Sequence, residues 1–299
     1  MAEISVLEGC FAQLGEAPHW DEQSSKLVYV DILGKSVHLY DAATGKDTKY
    51  DFDDTVGAAV PRKTGGSVVV LCGRSYTYLD LETGKKEVVA TVDEDKPNNR
   101  FNDGKCDPAG RFWAGSMGPE PRATEVVPEQ GSLFCLHADG AVTKHDSKIT
   151  ISNGLGWSPD NKTMYFIDSI PARCVYAYDF DMPTGSISNR RIAVQVDPLY
   201  GVPDGMSVDS DGMLWVAMYN GGKVVRYDPS NGKELSVIEF PVSKTTSCCW
   251  MGPDYDQLIV TSERCRLSQE EKDAQPLAGS VFRVKNLGAK GLPSIPFNG

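Results

Sequence analysis

Residues 153–168 read NGLGWSPDNKTMYFID, and residues 174–185 follow as CVYAYDFDMPTG. A short apolar run ends at Trp157. A polar turn, SPDNK, follows, then a strong strand pattern, TMYFID, and a second strand that closes on an Asp-Met-Pro-Thr-Gly turn. Aromatic and branched residues bounded by Gly, Pro, Asn and Asp are strand-and-turn chemistry. The same order recurs as EAPHWDEQSSKLVYVD from Glu16, VGAAVPRKTGGSVVVL from Val56, NDGKCDPAGRFWAGS from Asn102, DGMSVDSDGMLWVAM from Asp204 and SCCWMGPDYDQLIVTS from Ser247. Each is followed by a further strand, such as VHLYDAATGK, YTYLDLETGK or VVRYDPSNGK.

The units begin at 16, 56, 102, 153, 204 and 247, with spacings of 40, 46, 51, 51 and 43. Four-stranded propeller blades need about 40–50 residues each. The reading is an all-β fold, a six-bladed β-propeller of four antiparallel strands per blade, with residues 1–299 as one domain. Ile4–Gly9 precedes the first unit and is expected to supply the outer strand of the last blade. A β-sandwich is the competing arrangement, but six units in one register fit it poorly. The segment Leu267–Asp273 is the best helix candidate, and its shortness and charge favour a loop turn.

Composition narrows the function. The chain has 299 residues, 40% hydrophobic and 24% charged, an ordinary globular mix. Its net charge of −11 argues against nucleic acid and anionic membrane as partners and favours a cationic ligand. No apolar run approaches the ~20 residues of a membrane span, and MAEISVLEG lacks the features of a secretory signal. Eight cysteines without a C-x-x-C pair fit reduced thiols in an intracellular protein. The chain has no G-x-S-x-G elbow, Walker A loop or H-E-x-x-H pair. Asp209-Ser-Asp211-Gly resembles part of an EF-hand but lacks the later ligands and reads as an inter-strand turn.

In a propeller the first strand of each blade lines the channel. The register therefore aims Glu16, Val56, Asn102, Asn153, Asp204 and Ser247 at the axis, at similar depth. Asn, Asp and Glu are poor strand residues, yet they hold four of these positions. Two carboxylates meeting at one axis repel unless a cation is present. The set is all oxygen, which suits Ca²⁺, Mg²⁺ or Mn²⁺. A wet channel whose polar groups bind water fits the same residues. Arg100 lies two residues before Asn102 and should share its face. It suits a polyhydroxylated or carboxylated ligand, or an ion pair with nearby acids. Of the four histidines, His137 and His145 fall near turns and are expected to be exposed. His38 lies in an outer strand, and His19 near the channel fits packing beside Trp20.

Glu16-Ala-Pro-His-Trp20, Arg100-Phe-Asn-Asp-Gly-Lys105, Ile151-Ser-Asn-Gly-Leu155, Pro203-Asp-Gly-Met206 and Lys244-Thr-Thr-Ser-Cys-Cys249 together resemble the senescence-marker-protein/gluconolactonase family. The resemblance spans essentially the whole chain. It implies one divalent cation (Ca²⁺, Zn²⁺, Mn²⁺ or Mg²⁺) held by Glu16, Asn153 and Asp204, with Asp204 also the general base. It implies substrate contacts from Arg100, Asn102 and the lid residue Glu120. The activity implied is hydrolysis of sugar lactones such as gluconolactone, and the gulonolactone of ascorbate synthesis. A non-enzymatic calcium-binding regulator acting through protein partners is the alternative. The implied setting is a monomer in cytosol and nucleus, without nucleic acid or membrane. Glu120 sits between Pro119 and Pro121, a more constrained stretch than the family pattern, which leaves its position open.

Overall fold

The computed structural model describes residues 2–121 and 125–299. Six four-stranded antiparallel sheets follow one another along the chain. The first blade is β2 (Gly15–Asp21), β3 (Lys26–Asp31), β4 (Ser36–Asp41) and β5 (Asp47–Asp51). The second is β6 (Val56–Pro61), β7 (Ser67–Cys72), β8 (Ser75–Asp80) and β9 (Lys86–Thr91). The third is β10 (Arg100–Cys106), β11 (Phe112–Met117), β12 (Gly131–Leu136) and β13 (Val142–Ile149). The fourth is β14 (Ser152–Trp157), β15 (Thr163–Asp168), β16 (Cys174–Asp181) and β17 (Ser186–Gln195). The fifth is β18 (Val202–Val208), β19 (Leu214–Tyr219), β20 (Lys223–Asp228) and β21 (Lys233–Glu239).

The last blade takes β22 (Thr245–Met251), β23 (Gln257–Ser262) and β24 (Ser280–Lys285) from the end of the chain and β1 (Glu3–Phe11) from its start. Ile4 pairs with Val284 and Val6 with Phe282, so the expected closing strand is present. This six-bladed propeller is the fold that the repeat spacing predicts.

Local chemistry explains the blades. Second strands such as KLVYVD and QLIVTS lie between two strands and two neighbouring blades, so all but their first residue are buried and their centres are apolar. Outer strands such as DTKYD and KEVVAT face solvent. An Asp-x-x-x-Gly turn joins the third strand to the fourth in four blades. Asp41, Asp80, Asp181 and Asp228 each accept, through the backbone carbonyl, the N–H of the glycine four residues on. Gly45 and Gly84 have φ of 71° and 70°, the left-handed region where a side chain is strained.

Aromatic packing ties blades together. Trp215 meets Trp250 edge to face at 5.3 Å between centroids, and Trp113 meets Trp157 at 6.3 Å. Asp209 is the turn residue expected from its motif. Its carboxylate accepts the Trp215 indole N–H at 2.9 Å and the Arg226 Nε–H at 2.8 Å.

Two expectations are corrected. The segment after Leu267 is not a loop turn but a short helix, α1 (Gln269–Ala274). Ser268 caps it by accepting from the Glu271 N–H, while the Glu271 carboxylate accepts from the Ser268 N–H. That reciprocal capping box stabilises a turn of helix that its charge alone does not favour. His137 and His145 are half-buried rather than exposed, because His145 lies over Trp113 at 4.3 Å. All eight cysteines are free thiols. Among the described residues, no helix is long and apolar enough to cross a membrane.

Candidate metal and substrate site

All six channel strands share one irregularity. The pairing with the second strand slips between Glu16 and His19, Val56 and Ala59, Phe101 and Asp103, Ser152 and Leu155, Pro203 and Met206, and Thr245 and Cys248. A bulge of this kind re-aims the side chains it contains. The first residue inside each slip is Ala17, Gly57, Asn102, Asn153, Asp204 or Thr246. Three of the predicted positions, Asn102, Asn153 and Asp204, therefore occupy equivalent bulge sites.

The other three do not, and the expectation of six residues at one depth is corrected. Glu16 lies one residue before its bulge position, Val56 likewise, and Ser247 one after. Val56 is buried in the core between the first and second blades. Ser247 is buried against Gly205, where an added Cβ would come 2.0 Å from its Oγ. Glu16 still reaches the axis, where it joins Asn102, Asn153 and Asp204 in one cavity of about 180 Å³. Ala17, at φ 43°, is in the left-handed region just beyond it.

Glu16 and Asp204 are both buried. Among the described residues neither has a salt bridge to Lys or Arg within 4.0 Å. The Glu16 Oε2 accepts the Ala17 N–H at 2.8 Å. Burial pushes the Glu16 carboxyl from 4.5 up to about 8, with repulsion from Asp103 adding to it. Burial, then repulsion from Glu16 and Asp103, also pushes Asp204 far above the usual carboxylate range. The two carboxyls share a hydrogen bond, but with no ion pair within 4.0 Å their charged forms are unfavourable without a cation.

Asn153 completes an oxygen set. Its Nδ2 donates to Ser169 Oγ at 2.8 Å, and Ser169 donates to the Pro203 carbonyl at 2.7 Å. The amide is thereby oriented with Oδ1 toward Asn102, whose Nδ2 donates to it at 3.1 Å. That oxygen keeps a second lone pair. These groups fit a hard divalent cation: two carboxylates and an oriented amide oxygen, with no sulfur or imidazole.

Arg100 and Asn102 do share a face, as the alternation predicts, and they bond to each other. Arg100 Nη1 donates to Asn102 Oδ1 at 2.7 Å, and Asn102 Nδ2 also donates to the Ser152 carbonyl at 2.8 Å. Glu120 lies at the mouth of the same cavity despite its flanking prolines, and the Arg266 guanidinium donates to its Oε2 at 2.7 Å. Burial lowers the Arg100 guanidinium to about 10, against the favourable pull of Glu120.

Residues the sequence reading missed complete the surroundings. Asp103, beside Asn102, is buried and raised to about 6 by burial. Its place in RFNDGK was a signal available in the sequence. Arg266 and Tyr219 line the cavity from a loop and a strand end outside the repeat register. His19 faces a second cavity instead, of about 360 Å³, near Lys105 and Leu292. Burial and the nearby Lys105 cation pull its imidazole down to about 3.

The fold and this oxygen-lined cavity define a class of channel-site propellers. The chain belongs to the SMP-30/Gluconolactonase/LRE-like family, whose model matches residues 14–264. It is 45% identical to a regucalcin of Xenopus laevis over 287 residues, which cover 96% of this chain and 95% of that one. A solved luciferin-regenerating enzyme superposes with a TM-score of 0.92 at 34% identity, covering all of both chains. A calcium-binding protein, regucalcin, from Agrobacterium tumefaciens superposes at 0.90 with 29% identity, covering 98% of this chain and 96% of that one.

Proposed function

We propose that the chain is a divalent-cation-dependent lactone hydrolase acting as one propeller unit. The observation that carries this is the pair of buried, mutually repelling carboxylates, Glu16 and Asp204, beside the oriented amide of Asn153. Membership of a family described by gluconolactonase supports it. Glu16, Asn153 and Asp204 would hold Ca²⁺, Zn²⁺, Mn²⁺ or Mg²⁺. The bound cation would supply Lewis-acid polarisation of the lactone carbonyl.

The protein's own groups do the rest. Asp204 takes the proton from the attacking water. It returns that proton to the ring oxygen as the acyl C–O bond breaks, and the product is the open-chain hydroxy acid. A water nucleophile explains why no serine elbow is needed. Arg100 directs its remaining N–H groups at the substrate, and Glu120 closes the mouth. Asn102 acts by holding Arg100 and Asn153 in place. Gluconolactone and gulonolactone are the first substrates to assay, in keeping with a monomeric cytosolic enzyme, present also in the nucleus, on the route to ascorbate.

The test is hydrolysis by wild type and Asp204→Ala, each chelated and refilled with one cation at a time. Activity that returns only in wild type, with the variant still folded, is the expected result. Wild type inactive with every ion would end the enzyme reading. It would leave the second one, a calcium-binding regulator working through protein partners, which the calcium-binding description of the Agrobacterium relative supports.

A further inference from the structure

The channel strands feed a second cavity besides the one that holds Glu16 and Asp204. His19, Lys105, Gly156 and Ser207 lie three residues after Glu16, Asn102, Asn153 and Asp204, and all four line the cavity of about 360 Å³. Three residues of strand rise about 10 Å, so this cavity lies toward the other end of the channel. The two cavities share no lining residue among those described. The end of the chain crosses the second one. The Gly291 N–H donates to the Tyr255 carbonyl at 2.7 Å, and the Phe297 N–H to the Pro61 carbonyl at 2.8 Å. Between these anchors Leu292, Ser294 and Ile295 join the lining.

Two groups in this cavity are incompletely matched by the protein. His19 is 6% exposed, and among the described residues its imidazole makes no hydrogen bond. The Lys105 ammonium donates to the Met206 carbonyl at 2.6 Å. Among the described residues no carboxylate lies within 4.0 Å of it. Asp103 feels the Lys105 charge from beyond that distance. Burial and the Lys105 cation keep the imidazole neutral, so one ring nitrogen donates and the other accepts. A buried imidazole that no protein group meets needs a partner from the cavity itself.

We propose that this cavity is a second ligand site, for a small monocarboxylate with an apolar body. One carboxylate oxygen meets the Lys105 ammonium, and the other accepts the His19 N–H. The apolar body lies against Trp157, Leu292 and Ile295, with Asn161 and Ser207 as the nearby polar groups. A phosphate fits less well. One cation balances one charge, and no guanidinium lines the cavity to grip three oxygens.

Calorimetry on the full chain in chelator would titrate hexanoate, hexanamide and inorganic phosphate. Chelation removes any cation that could hold a carboxylate in the first cavity. Hexanoate is expected to bind more tightly than about 1 mM, with hexanamide and phosphate at least about tenfold weaker. Lys105→Met should weaken hexanoate at least about tenfold, and Arg100→Met should leave it unchanged. Ser294→Glu should weaken it similarly, by placing a like charge at the cavity. Ser294 lies outside every blade, so this variant keeps the test decisive if Lys105→Met fails to fold. No hexanoate binding at about 10 mM would overturn the proposal and leave water as the occupant. Equal binding of hexanamide, or tighter binding of phosphate, would also overturn it. So would hexanoate binding lost in Arg100→Met and kept in Lys105→Met, which places the acid in the first cavity. None of these readouts requires lactone hydrolysis, so the second site is decided apart from that function.

Discussion

Arg266 holds Glu120 across the cavity mouth, Nη2 to Oε2 at 2.7 Å, while its Nη1 lies 3.5 Å from the fully buried Glu263 carboxylate. One guanidinium thus serves an acid three residues away in sequence and another 146 residues away. The inner acid also accepts the Arg266 backbone N–H at 3.0 Å.

The two partners should respond unequally to mutation. Glu120→Gln frees the outer end only, and a partly exposed pair contributes about 1 kcal/mol or less. Arg266→Ala strips a buried carboxylate of its cation, a loss of about 3 kcal/mol. Urea denaturation of both variants would measure the difference, and equal losses would refute the hierarchy.

Glu16 makes cation-free stability depend on pH. Its folded value of about 8 exceeds its ordinary 4.5. Below about 4.5 both folded and unfolded chains hold the proton, and the group has no effect. As pH rises from 4.5 to 8, the unfolded chain releases its proton while the folded chain retains it, so folding weakens. Above 8 the penalty is complete, on the order of a few kcal/mol. In the presence of chelator, Glu16→Gln should be more stable than wild type at pH 8 and no different near pH 4.5. An identical pH profile for the two proteins would exclude this origin. Cation loading of wild type should release protons at neutral pH.

Asn102 contacts Asn153, so its loss should be felt first in cation binding. Replacing such an orienting partner typically lowers affinity about 10- to 100-fold. Asn102→Ala should show that loss in a calcium titration. Unchanged calcium affinity with a raised KM would instead assign Asn102 to the substrate, as the family resemblance does.

Gly154 permits the fourth and fifth blades to approach. A Cβ there would lie 2.6 Å from the Met206 nitrogen and 2.9 Å from the Asp204 carbonyl oxygen. Backbone cannot yield as a flexible side chain can. Gly154→Ala should cost about 1–3 kcal/mol and weaken cation binding by separating Asn153 from Asp204. Wild-type calcium affinity in a folded Gly154→Ala protein would show that the spacing is not set here.

The propeller was legible because strand and turn chemistry recur from blade to blade, so Trp157, Trp20 and the Asp-x-x-x-Gly turns of four blades mark one register. Four channel residues followed from that register. Val56 and Ser247 did not, because the bulge slips pairing by one residue and linear spacing cannot say which neighbour turns inward. Arg266 and Tyr219 were invisible for another reason. They reach the cavity from a loop and a strand end, where no period applies. The helix after Ser268 is marked by the capping-box spacing of Ser268 and Glu271, but QEEKDA carries no apolar period and buries no residue, so hydrophobic patterning does not reveal it.

The shared bulge also breaks the symmetry of the ring. Its six equivalent places carry Ala17, Gly57, Asn102, Asn153, Asp204 and Thr246, so oxygen-bearing side chains fill four successive blades, while Glu16 reaches the axis from the first blade and Gly57 leaves the second bare. A cation held by Glu16, Asn153 and Asp204 would be gripped across the ring, from the first blade and from the adjacent fourth and fifth. Architecture of sixfold character thereby acquires a direction, because the second blade alone offers the axis no carboxylate, amide or hydroxyl at or beside its bulge.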